Sequence, residues 1–183
     1  TRQLSVGKPG DKLSFTDDLA EALGDAQLVI IPLPSTSHED LARHVAPHLR
    51  DGQVVFLPPG TFGSYVFAKA MAKVAFAETG TLPYLVRKHG ASELVISCYA
   101  TRLPTGVFPS NLSEHAFTVL REAYPSVEPI EDALSGALMN AAPIIHPPLI
   151  MMNAGPLEHF EACDIHNEGT QPSIRRVTNQ LDA

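Results

Sequence analysis

The sequence predicts an α/β protein built on a doubly wound parallel sheet. Three observations predict it. Two short apolar runs, QLVIIPL at 27–33 and QVVFL at 53–57, are bounded by turn residues, as strands buried on both faces of a parallel sheet are. Amphipathic helical patterns fall between such runs, so strands and helices alternate. The segments after the strands, 34–38, 59–63 and 78–81, are rich in Gly, Pro, Ser and Thr. Small residues let a ligand approach the backbone, and in such sheets the ligand sits at the carboxyl ends of the strands.

The elements follow in order. KPGD at 8–11 reads as a turn. Thr16, Asp17 and Asp18 open a short helix with Leu19, Ala22 and Leu23 on one face, and Gly24 stops it. After the first strand, Thr36 and Glu39 have capping-box spacing. Leu41, Val45 and Leu49 form the inner face of that helix, and Pro47 shortens its last turn. The second strand ends at PPGTFG, and a helix is expected over about 64–73. VAFAETG then begins a third strand with no connecting residues. Helix-to-strand connections usually take roughly 2–6 residues, so residues are expected to be absent after Lys73. ELVISCYA at 93–100 reads as a further strand. Asn111 and Glu114 can cap a helix with Leu112, Ala116, Leu120 and Tyr124 inside, and helical patterns at 131–139 and 172–181 close the chain.

Composition narrows the function. The chain has 183 residues, 44% of them apolar, which suits a domain with a substantial core. A net charge of −7 argues against nucleic acid or an anionic membrane as partner. No apolar stretch approaches the roughly 20 residues of a membrane span. The first residues lack the hydrophobic region of a signal peptide. Cys98 and Cys163 provide neither a disulfide framework nor a zinc motif, and a cytoplasmic setting is the default expectation. Thr1 and the uncapped helix at 181–183 suggest a piece of a longer protein.

Chemistry concentrates in NAAPIIHPPLIMMNAG at 140–155, where His146 stands in an apolar run before Pro147 and Pro148. An ionisable group there needs a partner or a task. Proline disfavours helix in the residue before it and tolerates the first helical position. His146 is therefore expected at the mouth of a buried helix starting near Leu149, where the dipole would lower its pKa. A core histidine bonded to a carbonyl is the plain alternative. His38, after the first strand, either lines a cofactor cleft or is a solvated first-turn residue. Glu78, at a strand end, either orients a ligand or is a buried acid bonded to backbone amides. Asn140 and Asn153 suit substrate binding or helix capping. Arg87 could grip a carboxylate, but its RKHG setting suits a surface charge. His44 and His48 are spaced i,i+4 yet lack a third ligand, and Asp164, His166 and Glu168 read as a solvated turn, so no metal is expected.

Five motifs in order carry a resemblance: Pro34-x3-His38, LPPGTFG at 57–63, AETGTLPYLVR at 77–87, NAAPIIHPP at 140–148 and EGTQPS at 168–173. Together they resemble the opine dehydrogenases, the octopine/nopaline dehydrogenase family. The resemblance implies a partial Rossmann domain over 1–132 and the start of a helical substrate domain over 133–183. It implies NAD or NADP as cofactor and a reductive condensation of an amino acid with a 2-oxo acid through an imine. The family's catalytic histidine falls on His146. Pro34, Ser35, His38, Pro59, Gly60 and Glu78 are the expected cofactor-binding residues, and Asn140 and Asn153 the substrate-binding ones. A homodimer is left open. The family's glycine-rich pyrophosphate loop would precede Thr1, the aspartate that pairs with its histidine has no counterpart here, and Ala142 stands where members often carry a second Asn. A reductase of simple 2-oxo or 3-hydroxy acids, and a Rossmann-like binding module without turnover, are the alternative readings.

Overall fold

A computed structural model describes residues 14–69, 73–90, 93–159 and 164–183. The turn at 8–11, Cys163 and residues 70–72 lie outside the described residues. The chain divides into two compact units, Thr1–Asn140 and Ala141–Ala183. The division falls later than the expected boundary at 132/133.

The first unit is a three-layer α/β arrangement. β1 (Leu28–Ile30), β2 (Val54–Leu57), β3 (Ala75–Thr79), β6 (Leu103–Phe108) and β7 (Val127–Pro129) form one sheet in the order β1-β2-β3-β6-β7. Successive strand residues point to opposite faces, and the core follows that alternation. Val55, Leu57 and Phe76 pack on one face with Ala42 and Val45 of α2 (His38–Val45) and Phe67 of α3 (Gly63–Ala68). Val54, Phe56, Ala75 and Ala77 pack on the other with Ala116, Phe117 and Leu120 of α4 (Ser113–Ala123). All four residues of β2 are fully buried, which explains its unbroken apolar run. Helices cover both faces, as a doubly wound sheet requires.

The sheet is parallel at β1–β2, β2–β3 and β6–β7, but β3 and β6 are antiparallel. The expected strand at 93–100 forms as β5 (Leu94–Tyr99), yet it pairs with β4 (Tyr84–Lys88) in a separate two-stranded hairpin. After β3 the chain makes this hairpin instead of a crossover helix. It therefore re-enters the sheet through β6 from the opposite direction.

Several local expectations change. α3 ends at Ala68, short of the helix expected over about 64–73, and β3 begins at Ala75. α1 (Leu19–Gly24) is capped by Asp18, whose carboxylate accepts from the amides of Ala20 and Glu21. The Thr36–Glu39 capping box does not form. Residues Ser35–Ser37 make a 3-10 turn in which the Ser37 hydroxyl donates to the Pro34 carbonyl at 2.7 Å. Asn111 is likewise not a cap; α4 follows a 3-10 turn over Ser110–Leu112. Pro47 shortens α2 as expected, in the 3-10 turn Ala46–His48.

α5 (Ala133–Leu138) packs on β3 and β6, which is why the first unit extends to Asn140. Asp132 caps it by accepting from the Ser135 amide at 2.8 Å, and that bond holds its carboxyl below the usual range. Two glycines permit the approach. A Cβ at Gly106 would lie 1.6 Å from the Asp132 carbonyl oxygen, and one at Gly136 would lie 2.5 Å from the Glu78 carbonyl oxygen.

The second unit comprises α6 (Ala142–Met152), α7 (Ala154–His159) and α8 (Pro172–Leu181). Leu149 and Ile174 are buried where α6 packs on α8. Among the described residues, no helix is long and apolar enough to cross a membrane.

Candidate functional site

The parallel strands β1, β2 and β3 end on one edge of the sheet. Beyond β1, Pro34 and Ser35 are exposed at the start of the 3-10 turn. Beyond β2, the chain turns through Pro59 and Gly60, then through two left-handed residues, Thr61 at φ 49° and Phe62 at φ 65°. The Gly60 amide donates to the Thr79 carbonyl at 3.0 Å, which ties this loop to the end of β3.

Glu78 lies under that loop and is wholly buried. Its carboxylate accepts from the Phe62 amide at 3.2 Å and from the Ser64 amide. Burial pushes its pKa up, and the two amide bonds and the nearby His38 only partly offset this. Gly60 fits against the carboxylate only because it has no side chain: a Cβ there would sit 2.3 Å from Oε2. Of the two sequence readings of Glu78, the geometry matches an acid bonded to backbone amides.

His38 is also buried, at 1% exposure, and is not a solvated first-turn residue. Its Nε2 lies 3.1 Å from the Leu33 carbonyl, so that nitrogen carries the proton and donates. Nδ1 has no hydrogen-bond partner and packs against Gly63, where a Cβ would lie 2.7 Å away. Asn140 reaches the same loop: its side-chain amide donates to the Thr61 hydroxyl at 3.3 Å. Pro59, Gly60, Glu78, His38 and Asn140 thus converge on one turn.

Beside the edge, Ile30, Pro32, Pro58, Tyr84, Arg87 and Tyr124 line a cleft of about 400 Å³. The tyrosines were not singled out by sequence. Tyr124 is the half-buried member, and burial together with a hydrogen bond to Tyr84 raises its pKa to about 12. Arg87 is an exposed residue of β4 on the wall of this cleft.

The remaining expected residues lie in the second unit. His146 is not at a helix mouth. It falls inside α6, which runs through Pro147 and Pro148. Proline at the first turn is tolerated, but these two stand further in and withhold two backbone donors from the helix. His146 is exposed, so the expected buried setting is corrected too. Its ring meets His166 edge-on, with centroids 5.5 Å apart. His166 and Arg175 line a cavity of about 470 Å³ between α6 and α8. Asn153 is buried, and its side-chain amide donates to the carbonyls of Leu149 at 2.7 Å and Gly169 at 3.1 Å. It closes α6 and holds the 164–171 turn. Within that turn Asp164 accepts from the His166 amide and the Asn167 side chain. Among the described residues, no three potential metal ligands cluster.

Comparison with known proteins agrees with this architecture. Residues 129–183 match the family model for the NAD/NADP octopine/nopaline dehydrogenase α-helical domain. An opine dehydrogenase of Arthrobacter sp. (strain 1C) is 24% identical over 92% of this chain and 49% of its own. The chain is thus similar to the opine dehydrogenases, by family model over residues 129–183 and by distant identity over most of its length. Among solved structures, octopine dehydrogenase in complex with NADH and agmatine is 18% identical, with a TM-score of 0.65 over 91% of this chain and 45% of that one. Apo yersinopine dehydrogenase is 15% identical, with a TM-score of 0.63 over 86% of this chain and 40% of that one. These likenesses show a Rossmann-like fold. The chain spans about half the length of the opine dehydrogenase it matches.

The left-handed turn and the glycines beneath it are what sequence reading missed. Gly60 and Gly63 in PPGTFG are the available signal: two glycines three apart after a strand mark a backbone packed closely against its neighbours.

Proposed function

We propose that the full-length protein is an NAD(P)H-dependent oxidoreductase that reductively condenses an amino acid with a 2-oxo acid. The observation that carries this reading is the shared edge of β1, β2 and β3, where loops built of Pro, Ser, Thr and Gly adjoin a 400 Å³ cleft. Such an edge suits a dinucleotide, and the cleft walls of Ile30, Pro32, Pro58 and Tyr84 suit a flat ring. Pro34, Ser35 and Pro59 line the cofactor side through their backbone, and the buried Gly60 seats the Pro59 loop on Glu78. A bound nicotinamide would supply the hydride.

His146 supplies the proton. It is exposed, and so reachable by a reactant, and an imidazole can both donate and accept a proton. Asn140 stands at the end of the first unit as a substrate contact. Asn153 serves the same end indirectly, by holding the turn that brings His166 beside His146.

The test is NAD(P)H oxidation by the full-length protein across a panel of amino acids and 2-oxo acids. Oxidation that requires both partners supports the reading; oxidation with the oxo acid alone replaces it with a simple 2-oxo acid reductase. His146→Ala should lower kcat by at least ~10²-fold, and retained activity removes His146 from the proton transfer.

A further inference from the structure

We infer that Glu78 and His38 are positioning residues, which together hold the loop between β2 and α3 in the shape that receives the dinucleotide. The inference rests on the cofactor reading above. Neither side chain reaches solvent, so neither can touch a ligand on the outer side of the loop. Both act from beneath. The Glu78 carboxylate takes the amides of Phe62 and Ser64, one on each side of Gly63. Those bonds brace two consecutive non-glycine residues in the left-handed region, a conformation that L side chains adopt only at a cost.

His38 braces the same loop from the neighbouring strand end. Its Nε2–H holds the Leu33 carbonyl, just beyond β1, while its other ring edge abuts Gly63. The loops after β1 and β2 are therefore pinned to each other by one imidazole, and the β2 loop is pinned to β3 by one carboxylate. Gly60 and Gly63 are the contact points, and each would collide with its partner if it carried a Cβ. A binding surface made of backbone has no side chains of its own to correct its shape, so its accuracy depends on such support.

The experiment uses the full-length protein with three substitutions. Glu78→Gln places an amide NH2 where one of the two backbone N–H groups needs an acceptor. Glu78→Asp keeps the charge but shortens the reach, and is the milder change if Gln impairs folding. Gly60→Ala leaves Glu78 chemically intact and displaces its carboxylate. The readouts are KM and fluorescence-derived Kd for NAD(P)H, kcat at saturating cofactor, and the thermal midpoint. Glu78→Gln and Gly60→Ala should raise KM and Kd together by tenfold or more while kcat stays within threefold, with Glu78→Asp intermediate. A lowered midpoint with unchanged KM and Kd would reduce the pair to a role in stability and overturn the inference. A fall in kcat with unchanged KM would overturn it in favour of direct participation. Failure of the unsubstituted protein to bind NAD(P)H would overturn the cofactor reading itself, and is read independently of the variants.

Discussion

Gly106→Ala should be the most damaging single methyl that can be added to the first unit. An ideal Cβ on Gly106 lies 1.6 Å from the Asp132 carbonyl oxygen, 2.2 Å from its carbon and 2.7 Å from the Ala133 nitrogen. All three are backbone atoms at the start of α5, so no side-chain rotation relieves the overlap. Ordinary contact is about 3.5–4.0 Å between carbons, so α5 must move by well over an ångström. That motion would disturb the Asp132 cap and the seat of Gly136 on the Glu78 carbonyl. Overpacking usually costs about 1–3 kcal/mol, and loss of a helix cap adds about 1 kcal/mol. The expected destabilisation is therefore about 2–4 kcal/mol, read as a lowered urea midpoint with an unchanged slope. A change below ~0.5 kcal/mol would show that α5 does not lie against β6 as described. Asp132→Ala is the companion variant; it removes only the cap and should cost about 1 kcal/mol.

Gly155→Ala gives the opposite sign: Gly155 is exposed in α7 with nothing within 4 Å of its Cβ position, so alanine should stabilise by roughly 0.5–1 kcal/mol in the same urea assay. Gln53 is buried, donates to the carbonyls of Leu23 and Ala26 and accepts from the Arg50 amide; Gln53→Leu leaves these groups unpaired and should cost at least ~2 kcal/mol. Tyr124, raised to about 12, should be the late tyrosine in an ultraviolet titration. Its phenol is favoured in the folded state, so its contribution to stability is full below the unfolded value of about 10 and lost as pH rises through about 12. A Tyr84→Phe variant should move that transition to lower pH, and an unmoved one would refute the Tyr84 hydrogen bond as a cause.

What the sequence made legible was whatever depends on burial pattern alone. β2 and β3 are buried on both faces, so their runs carry no alternation and read plainly as sheet interior. Helices on both faces followed from the intervening amphipathic patterns. The direction of β6 was not legible, because the hairpin formed by β4 and β5 is a tertiary choice with no mark in either strand's own residues. The caps of α2 and α4 misread for a different reason. Thr36, Glu39 and Asn111 have suitable types and spacing, but in both places a 3-10 turn precedes the helix and shifts its start. At the candidate site, composition picked out the segments beyond β1, β2 and β3, whereas what each side chain touches required coordinates. Glu78 and His38 carry the same side chains whether they face a ligand or the underside of a loop.

His38 is buried and His146 exposed, and the contrast sharpens the chemistry. An apolar neighbourhood in sequence suggested that His146 was buried, but α6 is apolar around much of its circumference, and exposed Ile145, Ile150 and Met151 share its surface with His146. One of the two sequence readings of His38 had it solvated, but its position at the first turn of α2 turns the ring inward beneath Gly63. A group that exchanges protons with a substrate has to reach it, which His38 cannot do from 1% exposure and His146 can. A group that fixes a loop has to be enclosed, with its donor committed to a partner, and His38 is so committed to Leu33. On the function proposed above, accessibility divides the labour between the two imidazoles, and His38→Phe and His146→Ala should separate accordingly. The first should raise KM for NAD(P)H at nearly constant kcat. The second should lower kcat at nearly constant KM.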